Sequence, residues 1–67
     1  MEQYQQAIAN NIYIGAYVYI RLQHGNMHKA RITALVPDVG ILVQIEKCSM
    51  PPQACPRALS ELFIKVD

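Results

Sequence analysis

The spacing of apolar and polar residues changes period along this chain. In the opening EQYQQAIAN, Tyr4, Ala7 and Ile8 fall at i, i+3 and i+4 among helix-compatible Gln and Ala. That spacing predicts a short helix within residues 1–11. Asn10 and Asn11 suit its end, because Asn tolerates the left-handed backbone found just past a helix. From Gly15 the period becomes two: Ala16, Val18, Ile20 and Leu22 share one face, and Tyr17, Tyr19, Arg21 and Gln23 the other. Such alternation predicts a half-buried strand. It resumes with Ala30, Ile32 and Ala34 opposite Lys29, Arg31 and Thr33.

Both apolar sets must face the same side, since a one-residue slip would turn a whole strand outward. Pairing Ile20 with Ala30 and Val18 with Ile32 meets this condition, places Tyr19 opposite Arg31 and leaves His24, Gly25 and Asn26 as a three-residue loop. Gly and Asn accept the positive φ such a loop requires. In the next connection, VPDVG, Pro37 and Asp38 suit the centre of a type I turn, with Gly40 as the left-handed residue. A third strand, ILVQIEK, then pairs Ala34 with Ile41, Ile32 with Val43 and Ala30 with Ile45.

CSMPPQACP, with three prolines, cannot supply a regular ladder and is expected to be a loop. RALSELFIKVD predicts a short strand around Ala58 and Leu59, a corner at Ser60 and Glu61, and a closing strand from Leu62 to Val66. The expected fold is mainly β: a short N-terminal helix, then five strongly bent antiparallel strands over residues 15–67 that close into a small SH3-like barrel. Closure removes edges that would otherwise aggregate.

Size and charge narrow the picture. A chain of 67 residues is a single domain, 1–67, because a body this small buries only about 60% of its unfolded surface. Its hydrophobic content of 52% exceeds what one small core needs, which predicts self-association into a homo-oligomer. Net charge is only +1, yet between Gln3 and Pro37 stand Arg21, Lys29 and Arg31 with no carboxylate. No apolar run approaches the roughly 18 residues of a membrane span. MEQYQQ lacks the basic and apolar regions of a signal peptide, so a cytoplasmic location and no membrane partner are expected.

The segments VYIRLQHGNMHKARITAL, ILVQI and RALSELF resemble the Sm-like family, and within it the bacterial Hfq pattern, over roughly residues 16 to 66; the Rho-inhibiting Rof pattern is similar across GNMHKARITAL. Gly25 matches the hairpin glycine, Ala30 stands where Hfq carries glycine and Rof alanine, Ile41 to Val43 match the third strand, and Ala58, Leu59 and Ser60 match the segment after the basic pair. The resemblance implies a small barrel that associates edge to edge and takes single-stranded RNA. The basic pair of the Hfq pore falls on Pro56 and Arg57, so it carries over one cation. The charged rim falls near Asn10 to Tyr13, which carry none. An SH3-like or KOW-like barrel shares some of the pattern.

Aromatic rings beside cations are what a nucleic-acid strand requires, for stacking and for phosphate. The candidate RNA-binding residues are therefore Tyr17, Tyr19, Arg21, Lys29 and Arg31, to which the resemblance adds Arg57. A plainer role for the tyrosines is packing under the N-terminal helix or against a second copy, and for the cations, solvation of a hairpin face. Met50, Leu59 and Phe63 are candidate oligomer or protein contacts; Met27, Pro51 and Pro52 are apolar loop groups of similar kind. Cys48, Cys55, His24 and His28 have no compact zinc-ligand spacing, so neither metal nor cofactor is expected, and a cytoplasmic address favours free thiols over a disulfide. No hydroxyl stands at triad spacing and no glycine loop could cradle phosphate, which argues against an enzyme. Two functions remain open: an RNA-binding or RNA-metabolism regulatory module, and a protein-interaction or assembly module on the same fold.

Overall fold

A computed structural model describes residues 3–21, 25–47 and 56–66. It is mainly β, with five antiparallel strands: β1 (Gln3–Gln6), β2 (Tyr17–Arg21), β3 (Met27–Val36), β4 (Gly40–Ile45) and β5 (Leu62–Val66). They form one sheet in the order β1-β5-β2-β3-β4. Short 3-10 turns occupy Ala9–Asn11 and Leu59–Glu61. No helix among these residues is long and apolar enough to cross a membrane.

The predicted N-terminal helix is not present. Gln3–Gln6 run extended along β5, Gln3 opposite Val66 and Gln6 opposite Phe63, and the Ala7 N–H donates to the Leu62 carbonyl at 2.9 Å. A helix this short is marginal on its own, whereas an extended segment satisfies the backbone edge of β5 and lays Tyr4 beside Tyr19. Ala7 is buried. Asn11 caps the 3-10 turn that follows, its Oδ1 accepting from the Ile8 N–H at 2.9 Å.

Alternation in β2 and β3 is as the pattern predicts, but the first hairpin pairs two residues away from the expected register. Val18 faces Ala30, Ile20 faces His28, Tyr17 faces Arg31 and Tyr19 faces Lys29. The start of β2 is clamped first. A turn closed by the Ala16 N–H on the Tyr13 carbonyl (3.0 Å) carries Gly15 at φ 94, and the Gly15 N–H donates to the Ile32 carbonyl while the Ile32 N–H donates to Ala16, both at 2.8 Å. A shift of two keeps every side chain on its face. It lengthens the connection to residues 22–26, of which Leu22, Gln23 and His24 lie outside the described residues; Gly25 is left-handed at φ 79.

The second hairpin keeps Ala30 opposite Ile45 and Ile32 opposite Val43, then shifts so that Ala34 meets Leu42 rather than Ile41. Thr33 is the extra residue of this β-bulge, and its hydroxyl donates to the Leu42 carbonyl at 3.2 Å. Bulges bend a strand and increase its twist. Leu42 and Val43 are both buried although consecutive, Val43 within the core cluster and Leu42 outside it. The turn is also of another type. The Val39 N–H reaches the Val36 carbonyl at 3.1 Å with Asp38 at φ 64 in third position, which is the positive φ of type II rather than type I, with Pro37 second.

No strand forms at Ala58 and Leu59. Arg57 instead makes a bridge to Ile41, its carbonyl accepting at 2.8 Å and its N–H donating at 2.9 Å. The expected corner at Ser60 and Glu61 lies in the second 3-10 turn, where the Glu61 carboxylate accepts from the Ala58 N–H at 2.9 Å. The proline-rich segment from Cys48 to Cys55, with Met50, Pro51 and Pro52, lies outside the described residues.

One core joins these elements: Ala7, Ala16, Val18, Ile20, Ala30, Ile32, Val43 and Leu62, with Ile12, Ile41, Ile45 and Ile64 packed on it. No polar or charged residue among those described is buried. Truncating Leu62 to Ala should lower unfolding free energy by about 2 to 5 kcal/mol, while Val39→Ala at the exposed turn should change it by less than about 0.5 kcal/mol. Urea titration distinguishes the two. Gly40 sits at φ 136, and a Cβ there would stand 3.0 Å from the Arg57 carbonyl oxygen and 3.2 Å from the Pro56 Cβ. Gly40→Ala should therefore cost about 1 to 3 kcal/mol, and an unchanged urea midpoint would refute this account of the bridge.

Candidate nucleic-acid interface

Because successive strand residues point to opposite faces, burying Val18, Ile20, Ala30 and Ile32 turns Tyr17, Tyr19, Arg21, Lys29 and Arg31 to the other side of the sheet. Cross-strand pairing aligns them with side chains from β1 and β5. Gln6 faces Phe63, Phe63 faces Tyr19, and Tyr19 faces Lys29, so one row crosses four strands. A parallel row sets Tyr4 against Lys65, and Tyr17 against Arg31 and Arg31 against Gln44.

The rings and cations touch. Tyr4 and Tyr19 meet edge to face, with centroids 5.1 Å apart and planes at 62°. The Arg21 guanidinium lies 5.1 Å from the Phe63 ring centre and the Lys29 ammonium 4.6 Å from that of Tyr17. Each cation–π contact contributes about 0.5 to 1 kcal/mol at such exposed positions and holds the charge over its ring. Tyr17 remains 54% exposed.

All five strands carry no carboxylate, whereas Arg21, Lys29, Arg31 and Lys65 all lie on this outer face. The described acids Asp38, Glu46 and Glu61 stand in turns. Four like charges on one sheet with no acid between them produce a positive local potential that a net charge of +1 conceals. Beside Tyr17 and Arg31 the face deepens into a groove of about 740 Å³, which Thr33, Gln44, Glu46 and Lys47 help to line.

Five of the six predicted RNA contacts, Tyr17, Tyr19, Arg21, Lys29 and Arg31, share this face. Tyr19 meets Lys29 rather than the expected Arg31. Arg57 stands apart, on the outer side of β4, with a side chain 17% exposed and a guanidinium 3.5 Å from Glu61. Of the predicted protein contacts, Leu59 is exposed in its 3-10 turn, and Phe63 is half-buried in the aromatic row. Met50 lies outside the described residues. His28 is exposed at the start of β3, opposite Ile20. Among the described residues no group of His, Cys, Asp and Glu is arranged to hold a metal.

Sequence reasoning missed Tyr4 and Lys65, and assigned Phe63 elsewhere. Alternation in LFIKV already put Phe63 and Lys65 on one face, but only the pairing of β5 with β2 shows which face that is. Tyr4 carried no such signal. No protein-family model matches this chain, no curated protein matches it, and no solved structure matches it. The geometry itself defines a class: a small antiparallel β domain with one apolar face inside and one aromatic, cationic face outside.

An edge-to-face aromatic pair is worth about 0.5 to 1.5 kcal/mol beyond its buried area. A double-mutant cycle on Tyr4→Leu and Tyr19→Leu, read by urea unfolding, should return a coupling energy in that range. Strict additivity would show that the first strand does not brace the outer face.

Proposed function

We propose that this chain is an Sm-like small barrel that binds single-stranded RNA on its outer face, catalyses no reaction and works as a homo-oligomer. The observation that carries the reading is the acid-free sheet on which Tyr4, Tyr17, Tyr19 and Phe63 alternate with Arg21, Lys29, Arg31 and Lys65. Rings stack on bases whatever their sequence, and the cations meet phosphates. Barrel closure is supported by the path of the chain: Arg57 bridges the outer side of β4, and five residues later Leu62 begins pairing with β2. The Sm-like motifs and the alternation agree with that path.

Self-association is supported by Ile8, Tyr13 and Ile14, which are 60, 61 and 66% exposed within one short segment. That segment also favours a second reading, a protein-assembly module of the same fold that acts without RNA. Phe63 in the aromatic row and the exposed Leu59 would then serve a protein contact.

Four phosphate contacts at about −0.7 each give a slope of about −3 for log affinity against log salt. Binding to mixed single-stranded RNA, measured by fluorescence anisotropy, should therefore weaken about 50-fold between about 50 and 200 mM salt. Arg31→Gln should reduce the slope by roughly 0.7, and Tyr17→Ala should cost about 1 to 3 kcal/mol of affinity. No RNA binding at about 50 mM salt, together with a stable oligomer by light scattering, would replace the first reading with the second. In either case Ile14→Asp should shift the oligomer towards monomer.

A further inference from the structure

We infer that the groove beside Tyr17 is a guanine subsite within a bound RNA strand, an inference that rests on the single-stranded RNA reading above. Tyr17 offers its exposed ring as the stacking surface, with the Lys29 ammonium 4.6 Å from the ring centre. The groups around it are polar in a particular order. Arg31, opposite Tyr17 across β2 and β3, contributes only donors. Glu46 contributes a carboxylate, an acceptor only. Its backbone N–H is fastened to the Lys29 carbonyl at 3.0 Å, and Lys47 at φ 63 turns the chain directly after it.

Glu46 is the one acid on this groove, and among the described residues it forms no salt bridge. The Thr33 hydroxyl, also on the groove wall, already donates its proton to the Leu42 carbonyl, so it presents lone pairs. In the register of β3 and β4, Glu46 falls beside Lys29 and Thr33 beside Leu42, with Arg31 between them, so a base held between Glu46 and Arg31 meets a carboxylate at one edge and guanidinium donors at the other.

Guanine has the matching edges. Its N1–H and N2–H₂ donors lie side by side and fit the two oxygens of a carboxylate, while O6 and N7 are acceptors that an arginine fork satisfies. Adenine, cytosine and uracil each present a single donor group on the pairing edge, next to a ring nitrogen or carbonyl acceptor. Set against Glu46, that acceptor would face a carboxylate oxygen, a repulsive contact in place of a hydrogen bond. Glu46 stands two positions along the chain from Gln44, the partner of Arg31, about 7 Å away, which is the scale of a purine. Lys47 supplies a cation for the neighbouring phosphate.

The test is fluorescence anisotropy on the full chain with labelled oligouridylates that carry one central guanosine, inosine or adenosine. Guanosine should bind about ten-fold more tightly than inosine, which lacks the N2 amine, or adenosine. Glu46→Gln should erase that difference, with thermal melting confirming the fold. Equal affinity for guanosine and inosine in the native chain, or a preference that survives Glu46→Gln, would overturn the subsite and leave RNA binding intact. Free GMP binding as tightly as the oligomer would assign the groove to a nucleotide and overturn the strand. Absence of binding to every oligomer would overturn the RNA reading and the subsite with it.

Discussion

Burial of one side of a two-sided sheet governs this molecule. Val18, Ile20, Ala30, Ile32, Val43 and Leu62 form a single interior, and each well-buried aliphatic side chain among them contributes about 1.5 to 3 kcal/mol relative to exposure. The residues between them have no freedom to join. Tyr17, Tyr19, Arg21, Lys29, Arg31, Phe63 and Lys65 are turned to the opposite face by the same backbone pleat. Core and surface site are thus two results of one constraint, and a slip that disturbed either would disturb both.

The short elements at the ends of the sheet complete that arrangement. β1 is the edge strand, and it covers β5, which would otherwise present unpaired backbone groups to solvent. Its Tyr4 also extends the aromatic row. At the other side, Arg57 reaches Ile41 with a reciprocal pair of backbone hydrogen bonds, and the close approach of Pro56 and Arg57 would crowd a Cβ at residue 40. Between these two edges the Thr33 bulge bends the longest strand. Bending of this kind lets a small sheet cover its own apolar face.

The outer face owes its chemistry to separation of charge along the chain. Among the described residues carboxylates are confined to turns, at Asp38, Glu46 and Glu61, while the strands carry cations between rings. Phe63 lies under Arg21, and Tyr17 under Lys29. These contacts hold flexible cationic side chains near the rings, which lowers the entropy lost when a ligand arrives. Glu46 at the rim of the groove then introduces a single acid into an otherwise positive surface.

Alternation made β2 and β3 legible from the amino-acid sequence with their inner and outer faces, together with the two hairpins and five of the outer-face residues, because a period of two is a local property of a strand; the closing strand was legible too, but not which of its faces lay inside. The pairing of Ile32 with Val43 could be read for the same reason. Other features were decided by contacts between distant segments. Extended Gln3–Gln6 replaced the predicted helix because β5 offered a backbone edge that a lone short helix could not match. The clamp between Gly15, Ala16 and Ile32 moved the first hairpin by two residues. Arg57 was drawn away from the other cations by its bridge to Ile41, while Tyr4 and Lys65 joined them only when β1, β5 and β2 came together. Side-chain direction is written in local periodicity, whereas which strands become neighbours depends on hydrogen bonds between segments far apart in the chain, and no window of sequence contains both partners.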